Sequence, residues 1–245
     1  MNLNEWNLEH PKGVVQLLNA KKKLEQVTDS PAPDTSGLFN EKTLEKTLDA
    51  MVNHSLVSGH ERVRAVNQAR SLIENKLNQA IQENLDSYLE QTSESFDAAA
   101  EKYEKNIMLL PAKPFTAEDA LGFSAEQREV YDKVVEAAGV LSHWMSWSLE
   151  LTDLPAQGLG PWSKWHTIVS PENVGGLMVL ELEDASTGNT AWDRTLPVVA
   201  RALREGATLR LATPTTARRE ADRVEEDRQE MPDKEYRVLR AGLGY

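Results

Sequence analysis

Cysteine is absent from all 245 residues. That excludes disulfides, thiolate metal sites and cysteine nucleophiles, and nothing in the chain calls for an oxidising compartment. Long apolar runs are missing too. None approaches the ~18 residues that a membrane-crossing helix needs, and Met1–Trp6 lacks the basic-then-apolar order of a secretory leader. The expectation is a chain that neither spans nor crosses a membrane and sits in the cytoplasm or inside an assembled particle. Positive charge is scarce relative to negative: the net charge is −12 and the pI about 5.0. Non-specific phosphate binding needs clustered lysine and arginine, so nucleic acid is an unexpected partner.

Catalytic and cofactor motifs are also lacking. The chain has no Gly-rich phosphate loop with its lysine, no dinucleotide fingerprint and no nucleophile elbow. No two of the five histidines stand three or four residues apart. His54 and His60, with Glu61, have the chemistry to hold a divalent ion, but exposed histidines at a turn explain them as well. Glu181 and Glu183 would share one face of a strand, which simple alternation on a half-exposed strand accounts for. No catalytic residue, cofactor or metal ligand is assigned on these grounds.

What the sequence does contain is helical periodicity. Ser58–Leu110 reads as one long rod, with Val66, Ala69, Ile73, Leu77, Ile81, Leu85, Tyr88, Phe96, Ala99, Tyr103 and Ile107 on one stripe and Thr92 its single polar member. The repeat is about 3.7 residues, nearer the eleven-residue pattern than the heptad, so the rod should run almost straight or coil slightly right-handed. Its length would be roughly 75 Å, well beyond a small domain's width.

Before the rod, residues 1–39 form an arm and linker. Pro11–Gln26 carries a short helical pattern, and Asp29–Gly37 is a linker by composition. Lys21, Lys22 and Lys23 fit a solvated face. Asn40 can cap a helix from Glu41 to Val57 bearing Leu44, Leu48, Met51 and Val52, and Ser58 with Glu61 makes a capping box that restarts the chain as the rod. After it, Pro111 and Pro114 enforce a stop. Thr116 with Asp119 and Ser124 with Gln127 are two further helix starts, the second running to about Leu151. A helix of that length after a short connection packs antiparallel on the rod and covers about half of it.

The pattern changes near residue 155, where glycines cluster and nearly all later cations are arginine. Strands are expected at His166–Val169, Leu177–Glu183, Thr208–Ala212 and Tyr236–Arg240. Helices are expected from Thr190 through Pro197 to a stop at Gly206, and from Thr213-Pro214 to Glu230. The second has so thin an apolar edge that it should lie mostly in water. The fold class is therefore α+β: a coiled-coil-like long-helix hairpin or bundle over 40–153, containing the rod 58–110, then a small C-terminal α/β domain over 162–245.

Four of the six tryptophans, Trp144, Trp147, Trp162 and Trp165, fall across that join. Buried, they fill it; exposed, they form a binding platform. With Leu77, Ile81, Leu85, Tyr88 and Phe96 of the rod they are the candidate protein-contact residues. A stripe longer than its intrachain partner implies a non-enzymatic structural or adaptor protein, an assembly or scaffold component that self-associates through the rod, its other protein partners unspecified. Long acidic rods with a small appended domain occur among phage virion-associated proteins, an analogy of shape alone. The alternative is an enzyme or small-ligand module in 162–245, its site near Asp184 and Thr213 at the strand ends, with the helical part as oligomerisation handle.

Overall fold

The computed structural model describes residues 6–28, 41–58, 60–181 and 190–243. The linker Asp29–Gly37, the cap Asn40, Gly59 and the turn Asp184–Gly188 lie outside them, as do the side chains of His54, Ser58, His60, Glu61 and Glu183. Within the described residues the protein is mostly helical with one two-stranded antiparallel sheet, an α+β class in the loose sense. Two compact units are present: His10–Asn84, and Met1–Glu9 together with Leu85–Tyr245.

The first unit holds α1 (Lys12–Thr28), α2 (Glu41–Ser58) and α3 (His60–Glu83). Both α1 and α2 pack on α3. On α1, Val14 is fully buried, and Lys21 pairs with Glu74 of α3 at 3.4 Å. The N-terminal helix thus packs along α3.

The expected single rod is interrupted. α3 ends at Glu83 and α4 (Leu85–Ile107) begins two residues on. At Asn84 the backbone N–H donates to the Ile81 carbonyl at 3.0 Å and the side-chain Nδ2 to the Ala80 carbonyl at 2.7 Å. A side chain that competes for backbone partners closes the helix there, and the hydrophobic stripe passes over the interruption without registering it.

In the second unit α4 and α6 (Ala125–Glu150) form an antiparallel hairpin: Trp144 Nε1 donates to Ser95 Oγ at 3.2 Å, and Lys102 pairs with Glu136. Thr92, the polar place in the stripe, is fully buried and returns its hydroxyl to the Leu89 carbonyl at 2.7 Å. The connection is built as expected. Thr116 caps α5 (Ala117–Leu121) and Ser124 caps α6, each in a reciprocal box with Asp119 and Gln127. Phe115, Phe123, Tyr131 and Trp192 close this end with edge-to-face ring contacts.

The C-terminal part departs most from expectation. β1 (Val169–Ser170) pairs antiparallel with β2 (Thr208–Leu209), and Arg210 N and Ala212 N extend the ribbon to the Ile168 and Thr167 carbonyls. The 166–169 strand begins only after a 3₁₀ turn, Lys164–Thr167. Leu177–Glu183 is not a strand: α7 (Val174–Glu181) is a helix buried all round from Val174 to Leu180. A continuous apolar run has no periodicity to separate the two states. Its start is set by Asn173, whose Oδ1 accepts from Gly176 N at 2.9 Å.

Tyr236–Arg240 is likewise helical, within α11 (Asp233–Gly242), where Tyr236, Leu239 and Leu243 line up at helical spacing on the core. The helix expected through Pro197 is two, α8 (Thr190–Asp193) and α9 (Pro197–Arg204). Proline disfavours helix in the residue before it, and Leu196 takes φ 53° instead. Gly206, at φ 84°, ends α9 as expected. Helix α10 (Pro214–Glu230), capped by Thr213, is not mostly in water: Ala217, Ala221 and Val224 are fully buried, the last two in a core with Val174, Leu177 and Met178. Small residues let its backbone approach closely, so a thin edge suffices.

Candidate interaction surfaces

The nine residues singled out as contact candidates all lie inward. Leu77, Ile81, Leu85, Tyr88, Phe96, Trp144, Trp147 and Trp165 are buried, and Trp162 is half-buried. In the second unit the tryptophans bind elements to one another. Trp144 joins α6 to Ser95 of α4 and meets Trp147 edge-to-face at 6.2 Å. Trp162 donates to Asp222 Oδ1 of α10 at 2.8 Å and rests against core side chains of α7 and α10. Lys164 Nζ stands 5.0 Å from the Trp165 ring.

His166, whose ring centroid stands 5.5 Å from that of Trp162, is 1 % exposed. Its Nδ1 is 3.1 Å from the Ser163 carbonyl and 3.2 Å from Ser163 Oγ, and that hydroxyl donates to the Leu180 carbonyl at 2.8 Å. The carbonyl makes Nδ1 the protonated nitrogen, which leaves Nε2 buried without a hydrogen-bond partner among the described residues. Burial pushes the imidazole pKa down to about 4, against a smaller upward pull from the Ser163 carbonyl. His166 is a neutral core residue, and it is Ser163 that ties the start of the 3₁₀ turn to the end of α7.

A groove of about 770 Å³ runs between the 155–158 loop and α10. It is lined by Pro155, Ala156 and Gly158 on one side and Arg218, Arg219 and Arg223 on the other, but Glu220, Asp222 and Glu226 share the wall. Arg218 holds Asp222 at 3.4 Å and Arg210 holds Glu220. The charges offset, so no field of one sign develops, and no nucleophile and base converge.

Of the strand-end site expected near Asp184 and Thr213, Asp184 lies outside the described residues, and the sheet among the described residues is a short antiparallel pair rather than a parallel one. Thr213 is itself occupied as the α10 cap. Glu181 sits at the end of a helix and pairs with Arg228 at 2.7 Å. Among the described residues no group of three or more His, Asp or Glu is placed to hold a metal ion, and no helix is long and apolar enough to cross a membrane.

Open apolar surface lies elsewhere. On α2, Leu44, Leu48 and Val52 are 38 %, 45 % and 54 % exposed, while Thr47 is buried and Met51 half-buried. These leucines are legible in the sequence as a helical stripe, yet nothing local shows that α3 leaves them uncovered. Glu45 and Asp49 border the stripe, both exposed. No protein-family model, curated protein or solved structure matches this chain.

Proposed function

We propose that the chain is a non-enzymatic structural or adaptor protein that works through helical protein contacts, self-association among them, as an assembly or scaffolding component. The observation that carries this reading is the α2 stripe: three aliphatic side chains one turn apart, each more than a third exposed. Uncovered, such a face costs about 25 cal/mol per Å² of apolar area relative to its burial, and a partner recovers that. The expected long-helix hairpin supports the same reading in a modified form. Helices α4 and α6 pack together as a hairpin, and the contact surface passes to α2 from the rod, whose stripe is half-buried at Val66, Ala69 and Ile73 and buried from Leu77 on.

Light scattering on the purified chain tests the proposal. Association is expected to grow with concentration into the high micromolar range, and Leu48→Glu is expected to abolish it with the far-ultraviolet circular dichroism unchanged. A wild-type chain that keeps the monomer mass throughout would overturn it.

A further inference from the structure

The segment Trp6–Glu9 belongs to no helix or strand, yet it is seated on the α4–α6 hairpin by contacts of the kind that hold a bound peptide. Gln91 of α4 pairs with the backbone of Glu9 on both sides: Glu9 N donates to Gln91 Oε1 at 2.7 Å, and Gln91 Nε2 donates to the Glu9 carbonyl at 3.1 Å. A carboxamide that accepts from the N–H and donates to the C=O of one residue recognises backbone, whatever the side chain.

Trp6 supplies the specific part. Its ring stands 4.8 Å from that of His143 on α6, and its Nε1 donates to Glu150 Oε2, about two turns along the same helix, at 3.3 Å. His143 in turn meets the Trp144 ring at 4.9 Å, and Trp144 reaches Ser95 of α4, one turn from Gln91. Both helices therefore build one surface, which takes a tryptophan and, three residues on, a backbone N–H and C=O pair. The hold is light. Both Gln91 bonds are exposed, Trp6 is half-buried, and Asn7 takes φ 51°, in the left-handed region that L residues occupy at a cost. Contacts so open to water exchange readily with an identical segment.

We propose that this surface is a peptide-recognition site, and that the partner it takes between molecules is the Trp6–Glu9 segment of a second copy of this chain. The second copy is the occupant because its segment is the one whose fit to the surface is seen, contact by contact. Within one chain the tethered segment competes at an effective concentration on the order of millimolar, so exchange in the wild type belongs to crowded assemblies rather than dilute solution. The contact is separate from the α2 stripe and does not depend on it.

Complementary variants of the full chain remove that competition, with Leu48→Glu carried in each so that association through α2 plays no part. Trp6→Ala opens the site of one copy. Gln91→Ala with His143→Ala spoils the site of the other and releases its segment, and both residues are exposed, so the hairpin core is left intact. Neither variant has both a segment and a site, and each should keep the monomer mass in sedimentation velocity. Mixed in equal amounts at high micromolar concentration, they should form a 1:1 complex. An excess of a synthetic peptide of residues 4–11 should dissociate it, and the same peptide with Trp6→Ala should be at least about tenfold less effective. A mixture that stays monomeric, a variant that associates alone as well as the mixture does, or a complex that both peptides affect equally would overturn the proposal. None of these outcomes bears on the α2 reading.

Discussion

The hydroxyl of Tyr103, on α4, donates to the carbonyl of Thr195 and stands 3.1 Å from the carbonyl of Leu196, the residue forced to φ 53° ahead of Pro197. Tyr103 is fully buried, and burial raises its phenol pKa far above the ordinary value, so it remains a donor at any working pH. The Thr195 carbonyl, freed by the break between α8 and α9, is thereby satisfied from the hairpin, while the Leu196 carbonyl also accepts from Ala200 N at 3.0 Å.

Tyr103→Phe removes that donor and leaves the buried Thr195 carbonyl without it. The expected loss is about 1–3 kcal/mol, read as a lower urea midpoint with unchanged slope.

His166 sets an acid limit. Its folded pKa of about 4 lies below the ordinary 6.5, so the unfolded chain takes up the proton first as pH falls. The stabilising contribution of neutral His166 is complete above about pH 6.5 and is lost progressively toward pH 4, at most about 3 kcal/mol in all. Urea titrations at several pH values should show this slope in the wild type. His166→Gln should flatten it, whatever its effect at neutral pH.

Leu77→Lys and Leu85→Lys act on folding. Both leucines are buried, so each lysine places a charge in the core, and losses of about 3 kcal/mol or more are expected, seen as lowered thermal midpoints. Dissociation of a still-folded oligomer by either substitution would contradict their placement.

Asn173 serves two elements, capping α7 through Gly176 N and donating from Nδ2 to the Glu205 carbonyl at 2.7 Å. Asn173→Ala should cost about 1–2 kcal/mol in a denaturant titration.

Leu48→Glu is the converse case. At an exposed position it should change monomer stability by no more than about 0.5 kcal/mol, measured at low concentration where association is absent.

The amino-acid sequence by itself determined where many helices start and stop. The boxes at Thr116 with Asp119 and Ser124 with Gln127, the Thr213 cap and the left-handed Gly206 are interactions spanning at most four residues, and each is found where those residues place it. Periodicity also made the α4 and α6 faces legible, because two-sided helices announce the side that is buried. Tertiary structure decided the rest. Leu177–Leu180 is apolar on every side, so only the packing of α9 and α10 around it makes it a helix rather than a strand. The stripes of α2 and of the rod look alike in sequence, yet Leu77 is buried and Leu48 is open. Hydrophobic attraction has no direction of its own: which of two equivalent faces finds cover depends on partners far away in the chain.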